Sequence, residues 1–303
     1  MRQPIFRWGV AGVAMSALSA LAQAPPTAPA TPVVAVASAP AARFHWQAGQ
    51  VHTYRIAQTT QASEEVPATS ETPAQNSETA TQLNLVKRWQ VASVDAQGVA
   101  TLHMSLAALQ ITTRKPDGGT IAFDSARTDN PPEMHAEMSK YLNTVLAIVR
   151  LDGQGKLVEI KESKFGPASR FECELPFRVT LPDGALPQGG TWERTYTVKL
   201  DPPQGTGEKY EGKQSYTCSA LTGTQATVSY TTSVVGPQSL AEQVPLLPLL
   251  AAGEVVFDTQ TGCMMSATLS VDKELKEHNG PGSVYRYRST YSEIRVSEPN
   301  GKN

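Results

Sequence analysis

The densest run of residues able to do chemistry is EMHAE, where Glu133, His135 and Glu137 fall close together. Two carboxylates and an imidazole could form a metal site if they converged. The surrounding stretch PPEMHAEMSKYLNTVLAIV reads as a helix, with Pro in the first turn and Met134, Met138, Tyr141 or Leu142, and Val145 at helical spacing. On that helix Glu133 and Glu137 share a face while His135 projects away, so the three do not converge. Acidic residues in a first turn also favour the helix dipole, which accounts for them as a solvated face. His103 falls on the polar face of a strand and His278 in the turn-like KEHNGPG, so both are expected to be exposed. His45 and His52 flank the first strand without an acidic neighbour in sequence. Nucleophile elbows, phosphate loops, zinc-protease helices and calcium loops are absent as motifs. The expectation is a protein that is not an enzyme, with no catalytic residue, no metal and no cofactor.

Aromatic residues offer a different kind of site. Trp89, Trp192, Tyr196, Tyr210, Tyr216 and Tyr230, with Met104, Met264 and Met265, could line a hydrophobic cleft. Ordinary core packing uses the same residue types on alternating strands, so both readings stand. The candidate ligand-lining set is Trp89, Leu102, Met104, Trp192, Tyr196 and Tyr230, on the concave side of a sheet.

The elements that must position these residues alternate with period two. Leu83, Leu85, Trp89 and Val91 share one face, with Asn84, Arg88 and Gln90 on the other. Ala100, Leu102, Met104 and Leu106 follow against Thr101, His103 and Ser105, after which the apolar parity moves to Ala107, Leu109 and Ile111. That shift predicts a bulge near Leu106. Trp192, Tyr196, Val198 and Leu200, and then Ala226, Val228, Tyr230 and Val234, alternate in the same way. One wet face and one buried face is the pattern of antiparallel sheet. A second helix is expected in SLAEQVPLLPLLAAG, capped by Ser239 and ended by Gly253, with Pro245 and Pro248 kinking or shortening it.

One phrase occurs twice: LDGQGKL at 151–157 and FDTQTGCM at 257–264. Each ends a strand with Asp, places Gln in the turn and closes it with Gly. In each half the order is a Gly-led strand, a two-strand hairpin, a helix and then this turn, which predicts a duplicated antiparallel module. The first module covers 44–163, with a helix near 131–147 and a mobile polar loop at 62–79. A connector at 164–184 leads to the second module, 185–297, with a helix near 239–252. The second module ends in an additional strand where Tyr285, Tyr287 and Tyr291 share a face. The fold class expected is mainly β (α+β): a strongly curved sheet or incomplete barrel with two inserted apolar helices as cover, a two-sheet sandwich being the rival.

The first 22 residues carry Arg2 and Arg7, an apolar run from Trp8 to Leu21 and small residues before Gln23, the layout of a secretory signal. The run is shorter than the ~20 residues a spanning helix needs, so no transmembrane segment is expected once the signal is removed. Residues 23–43 are an Ala/Pro-rich stretch expected to be a disordered tether, and 298–303 a fraying tail. Without Arg2 and Arg7 the chain has 24 basic against 28 acidic residues, a formal charge of −4. No basic stripe remains for nucleic acid. Lys87 with Arg88, and Arg286 with Arg288, read as solvated strand faces. Cys173, Cys218 and Cys263 allow one disulfide; for Cys218 and Cys263, on apolar strand faces, buried thiols and a disulfide are both open.

The phrases AGQVHTY, LPDGALPQGGTWERTY and GEVVFDTQTG resemble a group of exported bacterial proteins known as a domain of unknown function. The layout of many antiparallel strands with inserted apolar helices is similar to the LolA/LolB and LppX type of lipoprotein-carrier fold. That resemblance implies an incomplete barrel that curls around helices and can shelter an acyl chain, and it supplies no catalytic residue. The functional expectation is an exported, periplasmic or extracellular, non-enzymatic envelope protein. Its partner would be an apolar or lipid-like small molecule, or an envelope protein, on the concave face. The alternative is a structural or protein-interaction module of the cell envelope without a ligand cavity.

Overall fold

The computed structural model describes residues 41–164, 166–202, 204–236 and 239–296. The expected signal, nearly all of the tether and the tail lie outside them. The described chain is mainly β. Its strands in order are β1 (Val51–Val66), β2 (Gln75–Val94), β3 (Ala100–Arg114), β4 (Thr120–Asp124), β5 (Ala147–Leu151) and β6 (Leu157–Ser163). They continue with β7 (Thr191–Leu200), β8 (Glu208–Thr222), β9 (Gln225–Val235), β10 (Ala252–Asp258), β11 (Cys263–Lys276) and β12 (Val284–Val296). The helices are α1 (Pro132–Met138), α2 (Arg170–Cys173) and α3 (Leu240–Leu246).

All twelve strands belong to one antiparallel sheet, not to the two sheets of a sandwich. Its order is β6-β5-β3-β2-β1-β12-β11-β10-β9-β8-β7, with β4 also paired to β3. The sheet is not closed: β6 and β7 are its edges. The first and last strands meet in the middle, with Ile56 opposite Glu293. Alternation decides which face is buried. Ala100, Leu102, Met104 and Leu106 point inward, Val86 pairs with Ala108 and Lys87 with Leu106, so Ala107 is the extra residue of the expected bulge. Beyond it Leu109 carries the inner face onward.

Strands far apart in the sheet share one core: Trp89 and Val149 from the first half cluster with Tyr216, Val228 and Phe257 from the second. The sheet therefore curls around what fills its inner face. The expected filling was two apolar helices, and here the structure differs. α1 has seven residues and buries none of them. After a single 3-10 turn the chain is extended at Leu142 and takes a positive φ of 55° at Asn143, which ends the helical run well before 147. α3 has the expected Ser239 cap, reinforced by Glu242 in a capping box, but it too has seven residues. Pro245 and Pro248 shorten it, as expected of them.

The principal filling is the connector. Leu175, Phe177, Val179 and Leu181 are buried, and Phe177 lies among the rings of Phe44, Trp46, Tyr54 and Trp89 at 5.4–6.0 Å. A buried chain outside regular secondary structure must satisfy its backbone groups. Leu181 exchanges hydrogen bonds with Gln154, Trp192 donates to the Thr180 carbonyl at 2.6 Å, and Arg194 donates to the carbonyls of Glu172 and Cys173.

The repeated turn phrase has a structural role at both sites. Asp152 Oδ1 accepts from the backbone N–H groups of Gln154 and Lys156, and Asp258 Oδ1 from those of Gln260 and Thr261. Gly155 and Gly262 both have positive φ, and both turns grip the same incoming segment. Phe44 N–H donates to Gly153 O and His45 N–H to Gly262 O, while a Cβ on Gly155 or Gly262 would stand 2.5 Å from Phe44 or His45.

The polar segment expected as a loop over 62–79 is mostly paired strand. β1 and β2 stay in register out to Val66 opposite Gln75, leaving only 67–74 to turn. Polarity there reports a hairpin that runs out past the core, where Glu65 pairs with Arg286 at 2.5 Å and Glu78 pairs with Arg114.

Candidate functional site

Parity along β2 puts Lys87 on the same face as Leu85 and Trp89, and that face is the inner one. Lys87 is therefore buried, not on a solvated face as its pairing with Arg88 suggested. On β12 the same parity places Glu293 inward with Tyr287 and Tyr291, fully buried. Lys87 Nζ lies 2.7 Å from Glu293 Oε1, and Tyr291 donates its hydroxyl to Glu293 Oε2 at 2.6 Å. The connector adds the rest of the cluster. Arg178 Nη1 and Arg170 Nη2 each lie 3.2 Å from Glu174 Oε2, and Arg178 Nε is 3.8 Å from Glu293 Oε2. The Arg178 guanidinium also stacks 4.4 Å from the centre of the Tyr291 ring.

Burial sets the electrostatics of this group. It pushes the Lys87 ammonium pKa down, with Glu293 opposing the shift. Burial also works against the Glu174 carboxylate, but Arg170 and Arg178 outweigh it and hold that group at about 2. Arg178 is likewise opposed by burial and kept charged by Tyr291, Glu174 and Glu293. The Tyr291 hydroxyl is pushed well above its ordinary value by burial.

Beside the cluster, between the connector and the inner face of β2 and β3, is a cavity of about 310 Å3. Leu83, Leu85, Leu109 and Ile111 line its apolar part, α1 contributes Met138, and Lys87, Arg170, Glu174 and Arg178 line its polar part. A second cavity of about 100 Å3 shares Gln58, Arg170, Glu174, Arg178 and Tyr291 with the first, so the Arg170–Arg178 segment stands between the two.

The sequence-derived candidates divide. Trp89 and Met104 line the larger cavity and Tyr230 the smaller. Leu102 is fully buried in the core and is not among the cavity-lining residues. Trp192 stacks on Tyr216 at 5.5 Å, and Tyr196 lies under the Arg194 guanidinium in a separate cluster with Cys173, Val198, Leu200 and Leu246. No motif marks the charged members of the site as a group; the signal in the sequence is parity, Lys87 with Leu85 and Trp89 and Glu293 with Tyr287 and Tyr291.

Other reactive groups are arranged differently. In α1, Glu137 pairs with Lys140 and His135 Nδ1 is 3.4 Å from Ser139 Oγ. Among the described residues, no three His, Cys, Asp or Glu gather as a metal site. His278 is mostly covered, not exposed, and bonds Glu64 at 2.9 Å. All three cysteines are free and buried. Cys263 Sγ lies 3.9 Å from His52 Nδ1, but burial lowers the His52 pKa to about 4, with Arg295 adding to the shift, and burial raises that of the thiol. A thiol whose pKa is raised is not held as the thiolate a nucleophile needs, and an imidazole this weakly basic is poorly suited to generate it.

No family model matches the chain, and no curated protein matches it. Among solved structures it is similar to DynF from the dynemicin biosynthesis pathway of Micromonospora chersina, at 8% identity over 92% of this chain and 96% of that one. The TM-score is 0.21, and a likeness that weak carries no argument about fold or function.

Proposed function

We propose that this is an exported, non-enzymatic envelope protein that binds an apolar or amphipathic small molecule on the inner face of its sheet. The observation that carries the reading is the cavity of about 310 Å3 with aliphatic walls from β2 and β3. Binding sites for small molecules are concave and mostly apolar, with a few placed polar groups. A binding role without catalysis is supported by the charged side chains nearby, which are tied to one another in ion pairs instead of presenting a separate acid and base.

The reading includes duplication. β1-β2-β3-β5-β6 and β7-β8-β9-β10-β11 follow the same neighbour order, with a short helix before β5 and before β10. A profile comparison of 44–163 with 185–297 across homologues should align Asp152 with Asp258, and failure to do so would remove this part.

Binding is tested with an environment-sensitive apolar dye, which should saturate at about one equivalent. Leu85→Trp, which fills the cavity, should abolish it in a protein that keeps its circular dichroism. Trp192→Ala, whose ring packs on Tyr216, should lower stability and leave the dye site intact. A folded protein with no saturable binding would leave the structural-module reading in its place.

A further inference from the structure

The larger cavity has two chemically different ends, and they specify a ligand more narrowly than apolarity does. Leu83, Leu85, Leu109 and Ile111 form a wall fit for a hydrocarbon chain. At the other end Lys87, Arg170 and Arg178 face a single lining carboxylate, Glu174. The second carboxylate, Glu293, is already engaged by Lys87 and by the Tyr291 hydroxyl. Three cations therefore share two anions, which leaves this cluster with one unbalanced positive charge. Arg194, next to α2, spends its donors on backbone carbonyls and on Gln214 and Tyr216 and brings no further anion.

Arg178 is the most constrained member. Its backbone sits at φ 61°, where a residue with a Cβ is uncommon, and such outliers concentrate at binding sites. Its buried Nε makes no hydrogen bond among the described residues. A single oxygen, Glu174 Oε2, serves both Arg170 and Arg178, so two five-donor guanidinium groups share one acceptor atom.

We propose that the cavity binds a single-chain amphipath with a carboxylate head group, its chain against β2 and β3 and its head at Arg170 and Arg178. This rests on the ligand-binding reading above. A carboxylate supplies the missing negative charge and matches the planar fork of a guanidinium. A cationic head would meet Arg170 and Arg178 with like charge. The volume, about 310 Å3, stands at the small end of the range for small-molecule sites, about 300–1,000 Å3, which favours one chain over the several of a lipoprotein.

Isothermal titration of decanoate, decanol and decyltrimethylammonium, each below its micelle concentration, tests this on the mature protein and on Arg170→Gln. Arg170 is half exposed, so its replacement should spare the fold. Decanoate should bind at least about tenfold more tightly than decanol, the value of one charge-assisted hydrogen bond. Arg170→Gln should remove most of that preference. Equal binding of decanoate and decanol, a preference for the cation, or wild-type decanoate affinity in Arg170→Gln would overturn the head-group assignment while leaving the apolar cavity standing. Absence of binding by all three would overturn the ligand-binding reading as well.

Discussion

Glu293→Gln is the sharpest probe of the buried charge cluster. The substitution keeps the shape of the side chain and an acceptor for the Tyr291 hydroxyl, but removes the charge opposite Lys87 at 2.7 Å. Lys87 is buried, and its ammonium would then face an amide. Removing one partner of a buried ion pair costs about 3–5 kcal/mol, because the remaining charge is left desolvated. Arg178 retains Glu174, which places the expected loss near the low end, about 3 kcal/mol. At about 2–4 °C per kcal/mol for a fold of this size, Tm should drop by about 6–12 °C. Lys87→Met alone leaves Glu293 with Tyr291 and the more distant Arg178, and should cost a similar amount. The double variant removes both charges and should be less destabilised than the sum of the two single variants by about 2–3 kcal/mol. Urea unfolding followed by circular dichroism measures all four proteins, with an unchanged slope showing that the denatured state is comparable. A Glu293→Gln protein within about 0.5 kcal/mol of wild type, or a strictly additive double variant, would refute the reasoning by showing a hydrated, uncoupled pair.

Two other outcomes follow from the same principles. Because His52 is buried with a pKa near 4, below the ordinary value of about 6.5, the unfolded chain takes up the proton first. Stability from this residue is complete above about pH 6.5 and is lost as pH falls towards 4, by up to about 3 kcal/mol. Urea midpoints at pH 7 and pH 4.5 should therefore move closer together in His52→Gln than in wild type, and an unchanged acid sensitivity would remove His52 as its source. N-terminal sequencing of material from the periplasm should begin near Gln23, and recovery with Met1 retained would sink the proposed address.

Local pattern in the sequence determined a large part of this protein. Alternation around Leu102, Trp192 and Val228 specified antiparallel strands, because a strand's side chains must point to opposite faces. The parity shift after Leu106 located the bulge near that residue, and the Asp and Gly of both repeated turns located two tight hairpins. Lys87 has the parity of Leu85 and Trp89, although its pairing with Arg88 drew it towards a solvated reading, and Glu293 has the parity of Tyr287 and Tyr291. Pro245 and Pro248 marked the second helix as shortened, whereas the end of the first was not legible from apolar spacing, since the positive φ at Asn143 acts on the backbone irrespective of the face pattern. Long-range pairing lay further out of reach. That β12 joins β1 brings Glu293 to Lys87 across about 200 residues of chain, and that the connector threads the inner face brings Arg178 to both. Periodicity is a property of neighbouring residues and carries no information about which distant strand will share a ladder. Register and the filling of the curled sheet decided those contacts, and with them the position of the charged end of the cavity.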